Sequence, residues 1–417
     1  MDPLTRLNVV AAVFGTLVLV FSSASRILKE RVFLSEPVVG LAVGVILGPY
    51  VVGVMPEVRG ETLADVAAVW ARFAVGVQLT ATALRLPDER LRRPRRTVFV
   101  LIGTLMPLMW ACASLLAWSL LDVTVTSALV LGAIVTPTDP VLATSILTGS
   151  FAERHLPAWL REDLSAESAA NDGLAFLFVL LPLLLIDRPA QGALTTWIVR
   201  GLLRDVVCAI AIGVAFGWVA ARLLLWSTAH DASDKRSFLV FAVAFTLLNI
   251  GVVRLLGADS LIAIFAGAAV FSVMVKGPAR ERLEQVQHVL DVFTTLSTFM
   301  LFGAVLPWAG WVALGWRGLI AALAIVVLRR LPATLALKPA LGCSWPEAFV
   351  MGWVGPIGIG ALFYAALVVG RRGNLLAWNM TTLVVTGSVL VHGLSAVPIA
   401  KAFRRWDRRA ERGIRGR

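Results

Sequence analysis

Charged residues are scarce in this chain: Asp, Glu, Lys and Arg make up 15% of its 417 residues, against 58% apolar ones. A soluble domain carries about 25% charged residues, so a water-exposed globular exterior is excluded for most of the length. Three cysteines, Cys112, Cys208 and Cys343, lie far apart without metal-ligand spacing, and read as small core residues with no disulfide framework. Histidine is equally thin. His155, His230 and His288 fall in loops or at segment ends and His392 stands alone in an apolar stretch, so no Ser/His or metal constellation forms. No P-loop or other nucleotide motif occurs, and no cofactor is called for.

What is present is long apolar runs, with a mean hydropathy of +0.83. A spanning helix needs about 20 mostly apolar residues. That ruler gives an all-α polytopic membrane protein with thirteen transmembrane segments, at about 7–23, 34–54, 61–84, 97–121, 124–149, 163–186, 201–226, 238–256, 258–276, 289–309, 315–335, 345–369 and 375–400. Ser23-Ala24-Ser25 imitates a signal-peptidase site, but Asp2 offsets Arg6 before the apolar run while Arg26, Lys29 and Arg31 follow it, so the run is kept as segment 1.

The basic residues provide an independent check. With thirteen segments, 26 of the 38 Lys and Arg fall on the side of the carboxyl terminus, nine on the other, and Arg72, Arg329 and Arg330 remain inside segments. The positive-inside rule then puts the amino terminus outside and the carboxyl terminus in the cytoplasm of a multi-pass cell-membrane protein. The basic tail 401–417 reads as a topology anchor against anionic lipid rather than a nucleic-acid arm.

Ionisable groups at bilayer depth are costly and mark function. Three acids lie there: Asp139 in segment 5, and Glu167 and Asp172 in segment 6. Thr136-Pro137-Thr138-Asp139-Pro140 cannot keep a helical hydrogen-bond ladder through two prolines, so segment 5 breaks and exposes carbonyls in the interior, as ion-carrying transporters do. In Glu167-Ser168-Ala169-Ala170-Asn171-Asp172, the i,i+4 rule pairs Ser168 with Asp172 and Glu167 with Asn171. Asp139, Asp172, Ser168 and the carbonyls around Thr138 offer oxygen ligands to a hard monovalent cation, while Asn171 can bond the broken backbone. Glu167 needs a buried cation. Arg329 and Arg330 in segment 11 are the candidates, with Arg330 preferred, and the alternative is that both snorkel at a helix end. Arg72, with Asp65 seven residues earlier on the same face, suits a cavity lining or a dimer interface, and the choice stays open.

Segment 12 carries a second break, Gly355-Pro356-Ile357-Gly358-Ile359-Gly360, although close glycines alone usually indicate helix packing. Segments 5 and 12 are an odd number apart and run oppositely, which is the pattern of inverted repeats: segments 1–6 and 8–13, with segment 7 as linker.

The strings Thr136–Ala143, Glu167–Gly173, Arg330-Leu331-Pro332 and Phe349–Pro356 resemble, in order and spacing across essentially the whole chain, the NhaP-type sodium/proton antiporters of the monovalent cation:proton antiporter superfamily, in its electroneutral Asn-Asp branch. The resemblance implies a secondary antiporter, not an enzyme, which exchanges Na⁺ or Li⁺ for H⁺; K⁺/H⁺ exchange is the alternative. It implies that Asp172 is loaded alternately by cation and proton. Asp139 and Thr138 would sit in crossed, unwound helices, Ser168 would be a ligand, Asn171 would hold the crossover, and Glu167 would pair with the segment 11 arginine. It further implies one transmembrane domain, 1–400, in a homodimer: a dimer part (segments 1–3 and 8–10, about 7–84 and 238–309), a core part (segments 4–6 and 11–13, about 97–186 and 315–400) and a linker at about 201–226. Two departures stand out. Ile357 replaces the Arg that many relatives carry after this Gly-Pro, and Gln78 occupies a place in segment 3 where a further acid would suit the ion shell. The rival readings are an intramembrane aspartyl protease using Asp139 and Asp172 as a dyad, and a channel, disfavoured because no charge ring or filter-like loop is visible.

Overall fold

The computed structural model describes residues 2–30, 34–55, 61–87, 89, 96–230 and 237–415. Among them there is no strand, and seven helices are long and apolar enough to cross a membrane: Pro3–Ala24, Val66–Arg85, Arg96–Leu121, Ala158–Asp187, Ala190–Ala229, Trp308–Ala336 and Leu375–Trp406. Shorter apolar helices, Glu36–Leu47, Val125–Ile134, Val240–Val253 and Ser260–Met274, lie between them. The all-α multi-span fold read from hydropathy is therefore the one adopted.

The first four helices are α1 (Pro3–Glu30), α2 (Glu36–Leu47), α3 (Glu61–Arg85) and α4 (Arg96–Leu121). Segment 5 is split into α5 (Val125–Ile134) and α6 (Pro140–Leu147), followed by a short α7 (Gly149–His155). Next come α8 (Ala158–Asp187), α9 (Ala190–Ala229), α10 (Ser237–Leu248), α11 (Ser260–Met274) and α12 (Pro278–Ala304). Segment 11 is α13 (Trp308–Leu328) and α14 (Leu331–Ala336), with α15 (Lys338–Leu341) after it. Segment 12 is split into α16 (Trp345–Trp353) and α17 (Ile359–Arg372), and α18 (Leu375–Arg415) closes the chain.

Two boundaries differ from expectation for a physical reason. Helix α8 starts at Ala158 and α12 at Pro278, each with polar first turns that a hydropathy window rejects. The earlier start of α8 puts Asp172 fourteen residues along it, about 21 Å from its first residue. Expected segment 11 starts where Gly315 takes a positive φ of 59° and kinks α13.

Helix α2 packs on α12, α9 on α11, and α3 on both α11 and α12. Glycines bring some of these backbones into direct contact: a Cβ on Gly44 would collide with the Met300 carbonyl, and one on Gly217 with the Gly267 carbonyl. Elsewhere α4 packs on α5 and α13, α5 on α8, and α18 on α13 and α17. Bulky apolar side chains on α1 and α9, such as Leu4, Leu19, Leu223 and Trp226, are exposed, as expected of lipid-facing helices. The main apolar core joins α3, α5, α8, α13, α17 and α18 around the two helix breaks.

Candidate ion-binding site

Helix α5 stops at Ile134 because Pro137 has no N–H to give the Ala133 carbonyl, which takes the Thr136 N–H instead at 3.2 Å. The Thr136 hydroxyl donates to the Gly132 carbonyl at 2.7 Å. The chain restarts as α6 with Pro140 in its first turn and Asp139 as N-cap. Asp139 Oδ1 accepts from the N–H groups of Val141 (2.8 Å) and Leu142 (3.2 Å). Its Oδ2 accepts from the N–H of Ile359, first residue of α17, at 2.8 Å. The Asp139 N–H donates to the Pro356 carbonyl at 2.8 Å. The two breaks thus touch, and one carboxylate caps both restarting helices.

The opposite ends are served by Arg329. Its Nη1 donates to the carbonyls of Val135, Thr136 (3.1 Å) and Pro137 (3.2 Å), and its Nη2 to that of Gly355 at 2.6 Å. Arg329 and Arg330 are 1% and 2% exposed, which overturns the snorkelling alternative. Both reach inward because α13 ends at Leu328 and the chain turns before α14. Pro332 cannot donate to the Leu328 carbonyl four residues back, and the Cys112 thiol takes that acceptor at 3.3 Å.

Arg330 forms the expected pair with Glu167: Nη1 to Oε1 at 2.9 Å and Nη2 to Oε2 at 3.0 Å, a two-pronged contact between buried groups. Its Nε donates to the Met351 carbonyl at 2.8 Å. Asn171 ties this pair to the first break. Its amide donates to Glu167 Oε1 (2.9 Å) and Thr138 Oγ1 (2.7 Å), and its oxygen accepts from the Thr138 N–H at 3.0 Å. The Ser168 hydroxyl donates to the Thr138 carbonyl at 2.6 Å and lies 3.2 Å from Thr138 Oγ1.

Asp172 differs from all of these. It is 1% exposed, and neither carboxylate oxygen has a hydrogen-bond partner among the described residues. Its main-chain carbonyl accepts from the Tyr364 hydroxyl at 2.7 Å. Gly360 leaves room for its carboxylate, since a Cβ there would stand 2.5 Å from Asp172 Oδ1. A Cβ on Gly358 would strike Asp139 Oδ2, and one on Gly355 the Arg330 side chain. The three glycines of the second break are slots for three charged side chains, a role that the packing interpretation of their spacing missed.

All seven expected site residues, Thr138, Asp139, Glu167, Ser168, Asn171, Asp172 and Arg330, therefore meet at the crossing. Sequence reasoning did not foresee Tyr364 or Ser388, nor that Arg329, a candidate partner for Glu167, serves the helix ends instead. Tyr364 carried a signal: it is one of two tyrosines in the chain and lies one turn beyond Gly360. Ser388 Oγ accepts the Ile357 N–H at 2.7 Å and lies 3.1 Å from His392 Nδ1, so the solitary histidine supports the second break. The Arg72 guanidinium lies 5.2 Å from the Phe363 ring centroid, where α3 meets α17. The Asp65 side chain falls outside the described residues. Gln78 is fully buried, with neither amide atom bonded among the described residues.

The Na⁺/H⁺ antiporter of Saccharomyces cerevisiae is 29% identical over 95% of this chain and 44% of its own length. A probable Na⁺/H⁺ antiporter of Schizosaccharomyces pombe is 30% identical over 92% of this chain and 55% of its own. The chain thus spans about half the length of these relatives. The sodium proton antiporter MjNhaP1 from Methanocaldococcus jannaschii has the same fold, with a TM-score of 0.73 at 17% identity over 95% of this chain and 98% of that one. The sodium/hydrogen exchanger transmembrane family matches residues 14–402. With two crossed helix breaks and a buried, unbonded carboxylate between them, this chain belongs to the sodium/hydrogen exchanger family.

Proposed function

We propose that the chain is a secondary antiporter that exchanges one Na⁺ for one H⁺ by alternating access, with Li⁺ as a second substrate. One observation carries the reading. The crossing holds three carboxylates, Asp139, Glu167 and Asp172, and two guanidinium groups, Arg329 and Arg330, so five buried charges sum to one negative charge. Four of the five are held by hydrogen bonds or an ion pair, with Asp139 and Arg329 balancing in sum as Glu167 and Arg330 do, and the charge left over belongs to Asp172. A buried charge without a partner is costly. One proton or one monovalent cation restores neutrality, and the site cannot hold both without a surplus charge. Exchange through such a site moves no net charge and needs no nucleotide.

Asp172 is the carrier in this reading. Ser168 and Thr138 oxygens retain lone pairs beside it, and Asp139 contributes mainly as the cap that holds both half-helices, with its remaining lone pairs open to the ion. Asn171, Glu167 and Arg330 support the site. The helices α4–α8 and α13–α18 form the moving core, α1–α3 and α10–α12 the dimer part of a homodimer, and α9 the linker. The amino terminus is outside and the tail lies on the cytoplasmic leaflet of the cell membrane. Three amide donors already hold the Asp139 carboxylate, which argues against a proton-sharing protease dyad with Asp172 and supports a protein that is not an enzyme.

The test is ²²Na⁺ uptake driven by a pH gradient in proteoliposomes, with Li⁺ and K⁺ as competitors. Asp172→Asn should abolish uptake while the protein stays folded. Full activity in that variant overturns the site; displacement by K⁺ alone reassigns the cation.

A further inference from the structure

Nine basic residues fall on the side of the sequence-derived topology that should have few. Six of them, Arg188, Arg200, Arg204, Arg254, Arg371 and Arg372, line a single cavity of about 770 Å³. They come from the end of α8, the π-type stretch Trp197–Cys208 of α9, the turn before α11 and the end of α17. Three separate stretches of the chain, 188–204, 254 and 371–372, thus deliver arginines to one mouth, at the end of the molecule opposite the α18 terminus.

The acids of the cavity are Asp187, Asp205 and Asp259, half as many. Asp187 is taken by Arg372, and Arg188 donates to Thr196 at 2.8 Å. Asp259 caps α11 through the N–H groups of Leu261 and Ile262, at 2.9 and 3.0 Å. Even with both Asp205 and Asp259 counted as charged, Arg200, Arg204, Arg254 and Arg371 outnumber the carboxylates beside them. Arg371 also lies within the repulsive field of Arg254 and Arg200. Like charges gathered in a concave, partly desolvated space raise the local potential, concentrate anions and repel cations. On the antiport reading above, a surplus of this sign on the outer side repels the cation to be carried unless an anion fills the cavity.

We propose that this outer cavity binds a phosphate-bearing anion, either a lipid headgroup or a soluble polyphosphate, and that its occupancy sets how readily a cation enters the pathway below. Guanidinium forks match phosphate oxygens in pairs, and four of them without a full complement of carboxylates form a multidentate receptor. The cavity volume lies in the range of ligand sites, roughly 300–1,000 Å³. The bound anion cancels the positive field, so Na⁺ reaches Asp172 at lower concentration when the anion is present.

The effect on transport rests on the antiport reading above, whereas the binding does not, and the two are measured separately. The full chain in detergent is titrated with pyrophosphate by calorimetry, and in phosphatidylcholine vesicles its ²²Na⁺ uptake is followed with and without pyrophosphate at matched ionic strength. The expected results are saturable binding and a fall in the Na⁺ half-saturation concentration of about threefold or more. Both should be lost in Arg200→Gln/Arg371→Gln, which spares every group at the helix crossing and should keep basal uptake. Vesicles containing phosphatidylglycerol distinguish the sources: if the lipid alone gives the shift and pyrophosphate adds nothing, the ligand is a headgroup, and if only pyrophosphate acts, it is soluble. Absence of any effect from pyrophosphate and phosphatidylglycerol alike, or an effect unchanged in the double variant, overturns the proposal. Binding without any ²²Na⁺ uptake would overturn the antiport reading and leave the receptor standing.

Discussion

Asp139 and Arg329 divide the two helix breaks between them: Asp139 accepts from the amides that start α6 and α17, and Arg329 donates to the carbonyls that end α5 and precede α17. Each side chain is an opposite charge laid across a pair of like helix-end dipoles.

This geometry makes Arg329 sensitive to a change that keeps its charge. Lysine carries a single ammonium and cannot span carbonyls on both sides of the crossing. Arg329→Lys should lower the rate of ²²Na⁺ uptake at least about tenfold and cost about 1–3 kcal/mol for each carbonyl left unbonded. Thermal unfolding in detergent, monitored by gel filtration, reads the second effect, and an unchanged unfolding midpoint would refute it.

The Glu167–Arg330 pair should behave as a buried ion pair. Glu167→Gln leaves a guanidinium short of its counter-charge and should cost about 3–5 kcal/mol. The double variant Glu167→Leu/Arg330→Met should recover part of that loss, because both desolvation costs vanish together. Strictly additive losses in the cycle would mean that the two residues stabilise the fold independently.

Gly360 should be a transport residue with little bearing on stability. An alanine methyl would meet Asp172 Oδ1 at 2.5 Å, the end of a side chain that can turn away, whereas Gly103 meets nothing within 4 Å. Gly360→Ala is expected to raise the Na⁺ half-saturation about tenfold, equivalent to about 1.4 kcal/mol, and Gly103→Ala to leave it unchanged. Equal behaviour of the two variants would remove the slot from the site.

Tyr364→Phe deletes the hydroxyl that holds the Asp172 carbonyl at 2.7 Å. The loss of one buried hydrogen bond predicts a stability change of about 1 kcal/mol. A rise in the Na⁺ half-saturation with unchanged maximal rate would show that the bond orients Asp172 for binding. No change in either quantity would mean that Tyr364 only fills space.

Much of this was written in local chemistry. Two prolines around Asp139 force a break, and an acid that follows a break and precedes Pro140 is an N-cap. Glu167 required a guanidinium because a membrane interior does not tolerate a lone charge, and charge balance narrowed the choice to Arg329 and Arg330 without deciding between them. What could not be read was direction. Arg329 follows a helix that ends at Leu328, and only the turn there swings it toward both crossings. The glycine spacing of segment 12 was ambiguous for the same reason, since a small residue may face a helix or a carboxylate. The meeting of six arginines from three separate stretches of the chain follows from tertiary structure, which no local pattern encodes.

The glycine contacts between α2 and α12 and between α9 and α11 work as dry joints. Backbone lies against backbone there, with no layer of side chains to shear, so these pairs cannot act as bearings. Any stroke of the machine must be taken up where side chains intervene, and swelling or thinning of the surrounding bilayer will be transmitted through these pairs as through a solid strut.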